Sequence, residues 1–381
     1  MEPCPTTTIT TQFATLPDPR VERTTRHALL DLLTIAPCAV ICGAASWVEV
    51  ERFGYAKEAW LRSRRALPNG IPCHDPFGRV FARLDPVELE HCFLAWVRSV
   101  AGEVVGHVVA VDGKTLRRAH DRAHGKPAVH LVSAWASASR LVLGQVAVEA
   151  KSNELTAIPA LLQLLDRSDC TVTIDALDCQ TAIARQIREQ GADYVLALKD
   201  NQPTLAAEVA DTFALARANG FADLEPAHHA YVRTIDKEHG RLEVRRYWTI
   251  SDPAILAYLN PAGVWTDLRS IGLVEAERRL GDSVTVASRY YLASLDGAVQ
   301  PFATAVRDHW GIENGLHWVL DLAFREDESR VRVGHSAHNL GVLRHVALNL
   351  LRQERTVKVG LKAKRLMAGW DEAYLLKVLA T

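Results

Sequence analysis

No Cys-x-x-Cys pair occurs among the seven cysteines of the chain. An odd count without paired spacing favours reduced, buried thiols in a cytoplasm over a zinc knuckle or a disulfide framework. An excess of one charge is lacking as well. Forty-four Lys and Arg against 45 Asp and Glu leave a net charge of −1, which excludes uniform coating of DNA but leaves room for local patches. There is no basic-then-apolar leader, no internal repeat and no low-complexity tract. One stretch, Leu32 to Val48, carries no charge, yet it only grazes the roughly 17–25 residues of a membrane span. With Pro37, Gly43 and four alanines it reads as a buried helix pair, and no membrane role is expected. What is there is an ordinary soluble composition, 48% apolar and 23% charged over 381 residues. That length buries a substantial core and suits two or three lobes.

Residues 1–19, rich in Thr and Pro, read as a disordered N-terminus. Residues 20–102 carry helix-start signals: Ser46 ahead of Trp47, Val50 and Phe53, then Asp75-Pro76, then Asp85-Pro86. They predict a helical N-terminal lobe whose Arg62, Arg64 and Arg65 are candidate DNA contacts or a solvated helix face. From 103 to 200 strands alternate with helices. Val108 to Val111 is a run for a strand buried on both faces, ending on Asp112. Strands Val129–Ala136 and Leu141–Glu149 follow around a hairpin turn at Ser137–Arg140. Next come a helix capped by Ser152 or Asn153, a strand from Thr171 ending on Asp175, a helix from Asp178 to Gln190, and a strand at Tyr194–Leu198. This is the element order of a ribonuclease H-like α/β core. In such a core the first and fourth strands are neighbours, so Asp112 and Asp175 are expected side by side at the C-terminal edge of the sheet, where open α/β folds place chemistry. Residues 201–299 read as a β-rich insertion of two hairpins. Residues 300–353 complete the core with a helix carrying Glu313. Residues 354–381 read as a basic C-terminal helix.

Two strand-end aspartates and a helical glutamate supply the oxygen ligands that two Mg²⁺ ions need in phosphoryl transfer. Asp112, Asp175 and Glu313 are therefore the candidate catalytic and metal-binding residues, with Mn²⁺ as a substitute ion. Lys114, two residues past Asp112, is expected to face the phosphate being cut. His309, Glu313 and His317 fall at i, i+4 and i+8 on one helix stripe. That stripe also suits zinc or iron, although no His-Glu-x-x-His is present. Trp310 and Trp318 read as core, or as platforms for an unpaired base. From Arg330 to Thr381 ten Lys and Arg face three acids, a local balance of +7, and Lys362, Lys364 and Arg365 are the candidate phosphate contacts there.

Several segments together resemble one family: Gly70-Ile-Pro-Cys-His-Asp-Pro-Phe77, Val111-Asp-Gly-Lys-Thr-Leu-Arg117, Thr173-Ile-Asp-Ala176, Asp193-Tyr-Val-Leu-Ala-Leu-Lys-Asp-Asn-Gln202, and the run from Arg307 to Asp327. The chain resembles the DDE-type insertion-sequence transposases, in the branch of the H-repeat-associated (ISAs-type) proteins. The resemblance implies the ribonuclease H-like core, the helical lobe, the β-rich insertion and the triad Asp112, Asp175 and Glu313. It implies double-stranded DNA as partner, both transposon terminal inverted repeats and target, a homo-oligomer on that DNA, and a cytoplasmic, nucleoid-associated location. The implied reaction is Mg²⁺-dependent cleavage at transposon ends, followed by attack of a 3′-hydroxyl on target DNA. The broader group carries Tyr-x2-Arg-x3-Glu-x6-Lys on the glutamate helix. Here Val306, His309 and Leu320 stand at the companion positions, so Arg307, His309 and Asn314 are the substitutes, alongside His317. A same-fold nuclease without strand joining, a domesticated non-mobile relative and an unrelated His/Glu metalloenzyme are the competing readings.

Overall fold

The structure, a computed structural model, describes residues 11–21, 23, 25–100, 107–120, 128–148, 154–165, 169–199, 201–238 and 241–381. Strand β1 (Val108–Thr115) is buried from Val108 through Val111. A run with no polar face has no side to turn to water, so it takes an interior position in a sheet covered on both faces. It pairs antiparallel with β2 (His130–Ala136), which pairs with β3 (Leu141–Val148). The turn between them puts Arg140 in the left-handed region, at φ 58. On its other side β1 runs parallel to β4 (Thr171–Ile174), and β4 to β5 (Asp193–Leu198). Val111 is paired with Ile174, so Asp112 and Asp175 follow side by side, as expected, but β1 does not end on Asp112: it runs on to Thr115, because residues 112–115 still pair with β2 after the pairing with β4 has stopped.

The region 201–299 continues the same sheet. Strands β6 (His229–Glu238), β7 (Arg241–Ile250), β8 (Ser270–Leu280) and β9 (Ser283–Ala293) form an antiparallel meander. Strand β9 pairs with β5 over Val195–Leu198, and the nine-stranded order is β3-β2-β1-β4-β5-β9-β8-β7-β6. The two expected hairpins are present. Two helices the sequence reading did not anticipate lie in this region, at Pro203–Ala218 and Pro253–Leu259. The first buries only Val209, Phe213 and Ala216, too narrow an apolar stripe to stand out from its alanine-rich surroundings.

The N-terminal lobe consists of α1 (Leu29–Ile41), α2 (Trp47–Ala56), α3 (Glu58–Arg62), α4 (His74–Arg83) and α5 (Pro86–Val100). Ser46 caps α2 in a reciprocal box: its Oγ accepts from Glu49 N at 3.3 Å, and its own N donates to Glu49 Oε2 at 3.0 Å. The uncharged stretch becomes α1, buried from Asp31 to Ile41, and the start of α2. Among the described residues no helix is long and apolar enough to cross a membrane. The expected disorder of residues 1–19 does not hold from residue 11 onward. Residues 11–13 form a helical turn, and Phe13 (3% exposed) and Leu16 (6%) join the core, because two large apolar side chains in a polar tail gain more from burial than their ordering costs. Residues 1–10 lie outside the described set, as do the expected Ser152/Asn153 cap and residues 239–240.

A long helix, Val299–Phe324, crosses the sheet over β1 and β4. Its first part is α6 (Val299–Ile312) in the numbering used from here. Gly272 of β8 makes room for it, since a Cβ there would lie 2.2 Å from the Phe302 ring. Helix α7 (Ser336–Gln353) then packs on α1, α4, α5 and β3, tying lobe to core. Ser336 does not cap it: the N-cap is His335, and Ser336 Oγ donates to Gly78 O at 3.4 Å instead. The expected single terminal helix is two, α8 (Leu361–Trp370) and α9 (Glu372–Leu379), broken at Asp371, whose side chain accepts from Ala373 N.

Candidate active site

Residues alternate faces along a strand. Ala110 pairs with Thr173, so Asp112 and Asp175, two residues on in each strand, share the face that the 299–324 helix covers. His309 of that helix meets Thr173, with Nδ1 and Oγ1 3.0 Å apart. Asp175 is exposed, its Oδ1 accepting from Ala176 N at 2.7 Å, and Asp112 is half-buried. Burial at the helix–sheet seam holds His309 below the ordinary imidazole range, although Asp112 and Asp175 pull it partly back.

The helix does not keep one register along its length. Glu313–His317 is a π turn between α6 and the α-helical segment Trp318–Phe324. One residue too many in a turn rotates everything after it, and such bulges collect at functional positions. The i, i+4, i+8 stripe is thereby changed. His317 is buried, with Nε2 3.1 Å from Asp112 Oδ2, whereas Glu313 is exposed. Among the described residues no three His, Cys, Asp or Glu side chains gather closely enough to hold a metal ion. The two aspartates nevertheless have the hard oxygen donors and open approach that a divalent cation requires. The histidines approach the aspartates rather than forming a site of their own.

Lys114 does not face an open phosphate position. Its ammonium donates to Asp321 and to Glu326 Oε2, the latter at 3.1 Å, with Arg344 on the far side of Glu326 at 3.3 Å. Burial works against Glu326's charge, but Arg344 and Lys114 more than offset it and hold its carboxyl below the usual range. Lys114 is thus part of a buried ionic network behind Asp112. Sequence reasoning missed Asp321, Glu326 and Arg344, because nothing local marks a partner 200 residues away.

A cleft of about 760 Å³ opens beside Asp175, lined by Thr173, Lys199, Arg289, Tyr290, His309 and Trp310 among others. The Arg289 guanidinium lies 4.8 Å above the Trp310 ring. Trp310 is 38% exposed and Trp318 60%, so neither is core; they stand before and after the π turn in the chain. Arg289 comes from the insertion and carried no sequence signal. Arg307 and Asn314 line a different, more polar cleft of about 440 Å³, with Trp135, Arg140 and Arg352. Arg307 lies 3.8 Å from Asp236, and Asn314 Nδ2 donates to Trp310 O at 3.3 Å.

The two expected basic patches are mostly consumed by the fold. Lys364 and Arg365 are each 6% exposed. Lys364 Nζ donates to the carbonyls of Leu351, at 2.9 Å, and Glu354; Arg365 donates to those of Val40, at 2.7 Å, and Ala323. Their carbons fill the seam between α8 and its neighbours, which is why they turn inward. Only Lys362 of that trio is exposed. In the lobe, Arg65 pairs with buried Asp31 at 2.9 Å, Arg64 lies 4.5 Å over the Trp60 ring, and exposed Arg62 pairs with Glu58 at 2.9 Å.

Comparison with known proteins bears on the whole chain. Residues 105–350 match the model of the Transposase DDE domain, and residues 10–97 match that of a DDE_Tnp_1-associated region. The "H repeat-associated putative transposase YhhI" of Escherichia coli K12 is 37% identical over 371 residues, 96% of each chain. The "Putative transposase YncI" of Escherichia coli O157:H7 is 37% identical over 372 residues, 97% of this chain and 93% of that one. A solved piggyBac transposase synaptic complex with hairpin DNA aligns at TM-score 0.40 and 11% identity, over 98% of this chain and 78% of that one, too distant to bear on the site.

Proposed function

This chain belongs to the DDE-domain transposases, and from that premise we propose that it cuts double-stranded DNA at the ends of an insertion sequence and joins the freed 3′-hydroxyls to target DNA. The observation that carries the reading is the adjacency of Asp112 and Asp175 beyond the paired Val111 and Ile174, the arrangement of a ribonuclease H-like core. Asp112, Asp175 and Glu313 are the proposed triad and would hold the two Mg²⁺ ions, or Mn²⁺ in their place. When bound, the metal activates the attacking oxygen and neutralises charge on the leaving one.

The remaining roles belong to the chain itself. The parallel pairing of β1 with β4 holds the aspartates at a fixed separation, and His317, 3.1 Å from Asp112, restrains one of them. His309 stays neutral over Thr173 and adds no competing cation. Arg289 and Lys199 line the cleft beside Asp175, where they meet the phosphates of the cut strand. Joining two ends in one event calls for more than one copy, so the working form is a homo-oligomer on the terminal inverted repeats.

The test uses the purified chain and a duplex bearing the element's terminal repeat. Nicking and joined products are expected with Mg²⁺ or Mn²⁺. Ca²⁺, with its larger and looser coordination, is expected to support binding without cleavage. Chelation and Glu313→Gln should each abolish the chemistry. Cleavage that survives chelation, or full activity in Glu313→Gln, sinks this reading, and cleavage without joined product reduces it to a hydrolytic nuclease.

A further inference from the structure

A second cleft, of about 560 Å³, lies between the N-terminal lobe and the segment that leads into α7. Helix α4 contributes Arg79 and Arg83, and the facing segment contributes Arg330 and Arg332. Among the described residues its lining holds those four arginines against one acid, Asp75, in a chain whose net charge is −1. Arg83 and Arg330 are exposed and make no ion pair among the described residues. Arg79 lies 3.6 Å from Asp75 with both side chains more than half exposed, a pairing too wet to neutralise either charge.

The walls are fixed. His335 N donates to Ala82 O at 3.0 Å, and Asn339 Nδ2 donates to Phe81 O at 2.8 Å and Leu84 O at 3.0 Å. Gly334 sits at φ +54 so close to α4 that a Cβ would lie 2.3 Å from Ala82 O. The segment is therefore seated on the C-terminal carbonyls of α4, and the arginines face one another without freedom to swing apart as whole elements. Four cations held on rigid walls repel one another, and among the described residues only the exposed Asp75 beside Arg79 and the Arg118 carbonyl that accepts from Arg332 stand against that repulsion. A polyanion with regularly spaced charges offsets it. The cleft is also joined to the catalytic strand: Arg332 Nε donates to Arg118 O at 2.7 Å, and Arg118 lies just past the end of β1, which carries Asp112.

We propose that this cleft docks the sugar–phosphate backbone of duplex DNA flanking the site of cleavage, gripping phosphates without reading bases. The proposal rests on DNA being the substrate, as argued above, and it is tested by binding alone. Fluorescence anisotropy of the full chain, in Ca²⁺, is measured against salt for two labelled duplexes, one bearing the terminal repeat and one of scrambled sequence. Arg83→Ala/Arg330→Ala should weaken both by the same factor. It should lower the slope of log affinity against log salt by up to about 1.8, at roughly 0.9 per phosphate contact. Arg83→Lys/Arg330→Lys should keep the slope. Each single alanine variant, expected to shift the slope by about 0.9, decides the matter if the double variant does not fold. Unchanged affinity and slope in folded alanine variants overturn the proposal, as does weakening confined to the terminal repeat. A chain that binds through this cleft yet never cuts would break the catalytic reading and leave the cleft's standing.

Discussion

Two charged regions of this molecule are built in opposite ways. Just past the last parallel pair of β1 and β4, Asp112 and Asp175 stand side by side with an open approach and few protein partners. In α8, Lys364 and Arg365 are buried, their donors spent on the carbonyls of Leu351, Glu354, Val40 and Ala323, and the Arg365 guanidinium lies 4.1 Å over the Phe324 ring. The first region has charge left over; the second has none to give. A charge is available to a ligand only where the fold has declined to satisfy it, and burial with named partners is the observable that separates the two cases.

The strongest way to break the comparison is at the two aspartates. Asp112→Asn and Asp175→Asn are each expected to cut strand cleavage by about 10²–10³-fold or more, the scale of losing one group that stabilises a charged transition state. Neither should lower the melting temperature, and relief of carboxylate repulsion should raise it slightly. Full nicking by either variant in Mg²⁺ would take that residue out of the site.

Next in size is the buried cation. Lys364→Met removes the cation 3.4 Å from buried Glu354 Oε2, leaving that carboxylate only the neutral donors Tyr374 and Thr356, and leaves two carbonyls without their donor. Breaking a buried pair by removing one partner costs about 3–5 kcal/mol, to be read from urea unfolding. The salt slope of DNA binding should not move. A slope lowered by about 0.9 with stability intact would show Lys364 meeting a phosphate after all, and would erase the contrast.

The smallest effect sharpens the comparison from the acid side. Glu90 is a carboxyl with no open approach: Oε1 accepts from Gln145 N at 2.8 Å and Oε2 has no partner. Burial pushes its pKa up to about 8, against the pull of the Gln145 bonds. The folded value lies above the unfolded one, so this contribution to stability is full below about pH 4.3 and is lost as pH rises through about 8. Melting temperature should decline across that window, and Glu90→Gln should flatten the decline. An equal slope in wild type and variant would mean that water reaches Glu90.

Much of the candidate site was legible because it is written in local patterns. An all-apolar run followed by Asp specifies a buried stretch of strand with a carboxylate just beyond it, and the order of elements makes β1 and β4 neighbours, although the continuation of β1 to Thr115 was not legible. The π turn was not legible, since Glu313 to His317 has ordinary helix residues and only the packing of the helix on the sheet fixes where the extra residue goes. His317 on Asp112 was therefore foreseen as part of a stripe but not as a contact. The fates of Lys114, Lys364 and Arg365 were equally hidden. A lysine reads as solvated until one knows that Asp321 and Glu326, or the end of α7, will be folded against it. Trp310 and Trp318 failed in the opposite direction, because size predicts burial only where a neighbour arrives to cover the ring.

Helix α7 buries fifteen of its residues, from Ser336 to Leu351, and Asn349 alone bonds both Val142 N and Val142 O of β3 at 2.9 Å. The ribosome makes this helix last among the elements that join lobe to sheet. Both aspartates leave the exit tunnel more than 150 residues before it, on a sheet whose outer strand and covering helices still lack their common partner. The sheet that carries the two aspartates therefore gains this link to the lobe only after Ser336–Gln353 has been made. Chains ending before Ser336, as a frameshift or premature stop would leave them, are expected to be protease-sensitive and insoluble. They would not persist as folded competitors for the ends of the element.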